Sequence, residues 1–305
     1  MIDYLPIPGH TVPSWANDVL EHGSLVIDGL DEDLYHGTYA LTSKSTLDVV
    51  NRSPAHYKYL IDGGKLESEE PPEEPEAFKV GRATHCLVLE PDSFEKRYFQ
   101  LPTFGKMTSQ KNRALRDAWL SENRQGRTYL TEAQMFAVTS MRESLLRVPK
   151  VRAALQDGSP EVTCVVKCPQ TGLLRKIRVD WLCERESIGL DLKTAFDASP
   201  DRWKWEAKRR RYPVQDAYYC DTAQLCDLDM HAMGFVVVEK SPPFVAGVYS
   251  VDDTARLVGE RAYMHNLNTI ATCVQTGHYP GYVTSPTGVQ ELVIPYSSAE
   301  VETHA

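Results

Sequence analysis

An α/β domain, with one mixed β-sheet flanked by helices, is what this sequence predicts, and three observations predict it. Helical runs fill most of the chain up to residue 157. At Gly158-Ser159-Pro160 the hydrophobic period changes, and three β-rich runs follow: EVTCVVKC (161–168), LLRKIRVDWLCE (173–184) and SIGLDLKTA (187–195). Further helices then give way to two more apolar runs, FVVVEK (235–240) and FVAGVYSV (244–251). The order helices, sheet, helices, strands, helix reads as layers packed on one sheet.

Each element has a local reason. Residues 1–40 read as irregular, broken by Pro and Gly, and 1–35 form an acidic leader with seven acids and no Lys or Arg. Ser43 or Ser45 can cap a short helix to about Asn51. Ser53-Pro54 starts a second helix, since Pro suits the first helical position, and Gly63-Gly64 ends it. ESEEPPEEPE (67–76) has six acids and no base, so it reads as a solvated, mobile loop. Phe78, Val80, Leu87 and Val88, with small residues between, predict a largely buried helix that Pro91 stops. Two or three helices fill 108–156, and Thr131 with Gln134 fits a capping box. Pro169–Gly172 and Glu184–Glu186 turn the three β-rich runs into a meander. Ser199-Pro200 and Tyr212-Pro213 open two helices, and 253–276 forms a long final one.

The 305 residues are 42% hydrophobic and 25% charged, ordinary for a globular protein and enough for a substantial core. No apolar run approaches the roughly 18 residues of a membrane helix, and MIDYLPIPGH lacks a signal-peptide layout. The expected compartment is the cytoplasm. Seven irregularly spaced cysteines argue against a disulfide framework and against a zinc or iron–sulfur site. The net charge of −9 weighs mildly against a nucleic-acid protein, but the distribution matters more. RWKWEAKRRR (202–211) holds six bases and one acid, a local phosphate-binding surface on an acidic chain.

The strongest chemical signal is Asp180 followed by Asp191-Leu192-Lys193. Residues two apart on a strand share a face, so Asp191 and Lys193 point together and Leu192 turns into the core. A short turn can bring Asp180 beside Asp191. Two carboxylates repel unless a cation lies between them, and oxygen ligands favour Mg²⁺ or Mn²⁺. Such a site suits water attack on a phosphodiester. Asp-x-Lys alone is also a common surface ion pair. His85, on a buried helix, is either a core histidine or a ligand, with Gly81 one turn earlier allowing close approach. Gln215 and Tyr219 share a helix face and either hold a phosphate or metal ligand or form a polar face. Glu161 is either a further carboxylate at the metal or a solvent-facing strand end. Arg202, Lys204, Lys208, Arg209, Arg210 and Arg211, interleaved with Trp203 and Trp205, form a phosphate-tracking wall or a solvated helix face.

Taken in order, Gly81-x-x-x-His85, Glu161, Asp180, Asp191-x-Lys193 and Gln215-x-x-x-Tyr219 resemble the PD-(D/E)XK nuclease superfamily. They resemble its RecB-like branch and, within that, the RecE-type exonucleases (the exonuclease VIII nuclease domain). SKSTLDVVNRSPAHYKYL and TGHYPGY resemble that family's opening and closing segments, so the likeness spans roughly 36–296.

The resemblance implies a single nuclease domain over 36–305 with a PD-(D/E)XK-like core. It implies a Mg²⁺-dependent exonuclease, with Mn²⁺ as a substitute, that degrades linear double-stranded DNA 5′ to 3′ and leaves 3′ single strands for recombination by annealing. The implied metal ligands are His85, Asp180, Asp191 and the Leu192 carbonyl; Lys193 is the catalytic lysine, and Gln215 and Tyr219 support the site or a DNA phosphate. A ring-shaped homo-oligomer, trimer or tetramer, and a RecT-like annealing partner are implied as well.

The sequence departs from the pattern in having Val179 before Asp180 where the superfamily has Pro, and Asp191 where Glu is common. It also lacks the terminal cysteine group of related iron–sulfur nucleases. The rival readings are a repair or restriction endonuclease of the same superfamily and a non-catalytic DNA-binding protein. The intact Asp180, Asp191 and Lys193 speak against the second.

Overall fold

The computed structural model describes residues 2–66, 75–283 and 287–289. In chain order the elements are α1 (Asp18–His22), β1 (Ser24–Ile27), α2 (Glu32–His36), α3 (Lys44–Arg52), α4 (Pro54–Ile61), α5 (Pro75–Leu89), α6 (Pro91–Arg97), β2 (Tyr98–Gln100), α7 (Gln110–Asn123), β3 (Thr128–Leu130), α8 (Glu132–Leu146) and α9 (Pro149–Ala154). There follow β4 (Ser159–Lys167), β5 (Leu174–Cys183), β6 (Ile188–Ala195), α10 (Pro200–Arg209), α11 (Tyr212–Gln224), β7 (Ala232–Glu239), β8 (Ala246–Tyr249) and α12 (Asp253–Thr276).

One six-stranded sheet has the order β1-β4-β5-β6-β7-β8. All neighbours are antiparallel except β6 and β7, which run parallel. A parallel pair needs a crossover, and α10 with α11 supplies it. The mixed α/β architecture is therefore the one expected.

The sheet is covered on both faces. On one, Leu47, Val50, Tyr57, Tyr218, Leu267 and Ile270 of α3, α4, α11 and α12 pack on Val162, Ile177, Val179, Phe235 and Val237. On the other, Val88, Met141, Leu145 and Val151 of α5, α8 and α9 pack on Trp181, Leu190, Leu192, Val236 and Val238. This explains why FVVV in β7 shows no alternation: both of its faces are buried.

Capping follows the side chains. Ser43 with Thr46 forms a capping box on α3, and Thr131 with Gln134 forms the expected one on α8. Pro91 does more than stop α5, because it occupies the first turn of α6.

The irregular acidic leader needs correction. Residues 1–35 hold α1, β1 and most of α2, and β1 pairs antiparallel with β4 as a sheet edge. Val12, Ala16 and Val19 pack on Val165 and Leu174, so apolar burial anchors this acidic stretch. The short parallel pair β2–β3 was not expected either. Over 67–74 the expected acidic loop lies outside the described residues.

Candidate active site

The sheet forks at the site. β5 and β6 pair only at Trp181↔Leu190, Leu182↔Gly189 and Cys183↔Ile188. Past these residues β5 continues against β4, and β6 against β7. Asp180 and Asp191 are the first residues beyond the split on either side. The Leu192 N–H, freed from the ladder, donates to Asp180 Oδ2 at 2.9 Å. Asp180 thus lies inside β5, three residues before its end.

Glu161 stands across from Asp180, between the pairs Pro160↔Trp181 and Val162↔Val179. Its backbone is left-handed, φ 54°, a conformation costing about 1–3 kcal/mol for a residue with a Cβ. Arg178 Nε lies 3.0 Å from Glu161 Oε2. The open choice for Glu161 resolves toward the site.

Helix α5 brings His85 over this pair. Its Nε2 lies 3.0 Å from Asp180 Oδ2, and its Nδ1 3.5 Å from Glu161 Oε1. A Cβ on Gly81 would meet the Thr194 hydroxyl at 3.3 Å, so the glycine lets α5 lie close to β6. Ligand atoms of His85, Glu161 and Asp180 all fall within 4.8 Å of one another.

Asp191 faces the other way from Leu192, toward α11, and Leu192 is buried as expected. Lys193 Nζ lies 2.7 Å from Asp191 Oδ2, and Gln215 Nε2 donates to Asp191 Oδ1 at 2.6 Å. Asp191 therefore stands outside the His85–Glu161–Asp180 cluster. Glu161 joins His85 and Asp180 in that cluster, while lysine and glutamine contact the Asp191 carboxylate beside it. Of Leu192, the main-chain N–H reaches the site.

Excess negative charge governs the electrostatics. Burial opposes a charged His85, but Asp180 and Glu161 outweigh it and push the imidazole up to about 9. Burial and the neighbouring Asp180 push Glu161 up to about 7. Burial also acts against the Asp180 anion, yet His85, Lys193 and the Leu192 N–H hold it below the ordinary range. Asp191 is raised by burial, which Lys193 only partly offsets. Lys193 itself is raised, since Asp191 and Asp180 outweigh its burial.

The remaining candidates separate. Gln215 is buried and donates to Asp191, so of its two expected partners, the site and a DNA phosphate, the contact it makes is with the site. Tyr219 lies near Tyr35, Asp191 and Asp180, and burial with these neighbours raises its hydroxyl far above the usual value. Arg202, Lys204, Lys208, Arg209 and Arg210 are exposed on and just beyond α10. Several already meet acids: Lys204 with Asp201 at 2.7 Å, Arg209 with Glu206 at 2.8 Å, and Arg210 with Glu206. Arg211 sits 2.9 Å from Asp48. Trp203 is buried against Tyr212 and Tyr249, while Trp205 stays exposed, so only one tryptophan is available for stacking.

Four residues at the site were missed. The Tyr212 ring lies 5.7 Å from Lys193 Nζ and 6.0 Å from Lys44 Nζ, between two ammonium groups. Lys44 also donates to the Arg210 carbonyl and pairs with Asp48, each at 2.7 Å. Tyr35 lays its ring 5.1 Å from the Arg178 guanidinium. Arg178 in turn ties Glu161 to the Leu30 carbonyl. Lys44 stands in a capping sequence and Tyr35 in the acidic leader, so neither has a local signal of chemistry.

The fork, its acidic pair and the lysine beside them are those of a nuclease-like core. The chain belongs to the family described as "PDDEXK-like domain of unknown function (DUF3799)", matched over residues 43–286. A comparison with curated proteins gives no significant match. Among solved structures the chain is similar to a protein of Eubacterium rectale described as "Putative exonuclease", with 13% identity and a TM-score of 0.53 over 89% of this chain and 97% of the other. That likeness is one of fold. No helix among the described residues is long and apolar enough to cross a membrane.

The donor set fits a divalent cation. It joins one imidazole to carboxylates, a combination suited to Mn²⁺ or Mg²⁺. In addition, Asp191 Oδ2 is buried, and the Lys193 ammonium 2.7 Å away engages only one side of it. One lone pair at the fork is thus left for a cation.

Proposed function

We propose that this protein is a metal-dependent exodeoxyribonuclease that degrades linear double-stranded DNA 5′ to 3′ and leaves 3′ single-stranded ends. The observation that carries the reading is the meeting of His85, Glu161 and Asp180 with the Asp191–Lys193 pair where the sheet splits. His85, Glu161, Asp180 and Asp191, with the Leu192 carbonyl, would hold the cation. A bound Mg²⁺ or Mn²⁺ supplies Lewis acidity to the phosphodiester and lowers the pKa of a water molecule.

The chain's own groups do the rest. Lys193 presents three N–H donors beside Asp191 and can orient the attacking water or the scissile phosphate. Gln215 fixes the Asp191 carboxylate against rotation, and the Leu192 N–H does the same for Asp180. The water oxygen bonds to phosphorus as the bond to one ester oxygen breaks. The exposed cations of α10, with Arg211, would follow the DNA backbone, and Tyr219 would support the site.

The polarity, a ring-shaped trimer or tetramer around the duplex, and a RecT-like annealing partner rest on the likeness to RecE-type exonucleases. We assign the work to the cytoplasm, in keeping with seven free, buried cysteines. The test is nucleotide release from duplexes labelled at the 5′ or the 3′ end, with and without Mg²⁺, beside a covalently closed circle. Release from the 5′ label with the circle intact supports the reading. Cutting of the circle makes the protein an endonuclease, and no metal-dependent release removes the proposal.

A further inference from the structure

A cavity of about 400 Å³ opens between α5, α6, β2 and β3. Lys79, Arg82, Lys96 and Arg97 line it, with the rings of Phe78 and Tyr98. Among the described residues no acidic side chain lines it, on a chain whose net charge is −9. Three of the cations are held from outside the lining: Lys79 by Glu76 at 2.6 Å, Arg82 by Glu32 at 2.7 Å and Arg97 by Glu90 at 2.7 Å. The Lys79 and Arg82 pairs are partly solvent-exposed and worth little, so an anionic ligand can replace them at small cost, while Arg97 keeps a two-point hold on Glu90.

The cavity and the active site share one face of α5. Phe78, Arg82 and His85 are spaced four and three apart on α5, so they line one side of it. Phe78 lies about 10 Å from His85 along the axis, roughly three base rises of a DNA strand. The Phe78 ring is 54% exposed, with the Arg82 guanidinium 5.8 Å from its centroid. A cation beside an uncovered ring, in a hollow of like charge, matches a phosphate and its base together.

We propose that this cavity is a second DNA contact, which takes the sugar–phosphate backbone and one base of a strand about three nucleotides from the scissile bond. The assignment rests on the nuclease reading of the His85 site. It gives a role to β2 and β3, which lie outside the catalytic sheet but wall the hollow.

The test is anisotropy of a fluorescein-labelled single-stranded oligonucleotide bound to the full chain in EDTA, where binding is read without cutting. Arg82→Gln with Lys96→Gln is expected to weaken binding about tenfold or more and to reduce the slope of log affinity against log salt by about 1.4. Phe78→Ala should weaken binding with the slope unchanged. A matched loss of two exposed charges, Arg147→Gln with Lys150→Gln, should do neither. Circular dichroism checks that each variant is folded. Binding within twofold of wild type in the Arg82/Lys96 variant overturns the proposal, as does equal weakening in the Arg147/Lys150 variant or equal competition by polyglutamate. Mg²⁺-supported hydrolysis of bis(p-nitrophenyl) phosphate, too small to reach the cavity, reports on the catalytic site separately. If wild type fails there, the nuclease reading falls, while the binding result still decides the cavity.

Discussion

Gln215 of α11 and Asp191 of β6 are joined by a 2.6 Å hydrogen bond across the crossover connection, with both side chains buried. The amide leaves the carboxylate ionisable while holding its orientation. Gln215→Ala is therefore expected to lower kcat on linear duplex about 10–100-fold, the usual effect of losing a partner that orients a metal-side ligand. KM should change little. A raised KM with normal kcat would instead make Gln215 a substrate-gripping residue.

Lys193, itself half-buried, pairs with Asp191, whose side chain is 4% exposed. Removing one member leaves the other charge uncompensated. Lys193→Met should abolish cleavage and cost about 3 kcal/mol of stability by urea unfolding. Lys193→Met with Asp191→Asn should recover much of that stability and none of the activity. Cleavage at the wild-type rate by either variant would disprove the assigned roles.

Lys176 of β5 is buried, with its ammonium donating to the Tyr35 and Thr38 carbonyls. Burial, and then the nearby Arg178, lower it from 10.5 to about 8. The folded protein releases this proton as pH rises through 8, whereas the unfolded chain keeps it to about 10.5. Between these values the unfolded state binds more protons, so stability rises with pH; below pH 8 the cost of the buried charge is felt in full. Relative to Lys176→Met, wild type should gain about 2 kcal/mol from pH 8 to pH 10 in urea titrations. Parallel curves would mean that Lys176 stays charged inside the fold.

Gly259 lets α12 meet α11. A methyl group there would stand 2.9 Å from Val214 N and overlap the Pro213 carbonyl. The better helix propensity of alanine, about 1 kcal/mol, is outweighed by the overlap. Gly259→Ala should lower stability by about 2 kcal/mol, seen as a drop in Tm. Because Pro213 precedes Gln215 by two residues, nuclease activity should fall as well. An unchanged Tm would show that the two helices can separate freely.

The catalytic strands were legible because their chemistry is periodic. Asp191 and Lys193 share a face by strand geometry alone, and the turn at Glu184–Glu186 returns the chain so that Asp180 stands beside Asp191. The parallel placement of β7 was not legible, since an apolar run does not state its direction. Glu161 stayed open between two roles, because its place depends on a left-handed backbone that no propensity for glutamate suggests. β1 was lost among acids: SLVI is four residues long and half-buried, and its partner lies more than a hundred residues away. Tyr35 and Lys44 reach the site through contacts equally distant in sequence, for which composition offers no cue.

The link from the Leu30 carbonyl through Arg178 to Glu161, together with the hold of Tyr35 on Lys176, makes the first thirty-six residues a wall of the reaction chamber. Trimming those residues away would take the Tyr35 and Leu30 carbonyls from two interior cations, and the arginine that braces the carboxylate beside His85 would lose its own anchor. A shortened enzyme would thus fail by loosening at its centre, however faithfully it kept every residue of the signature.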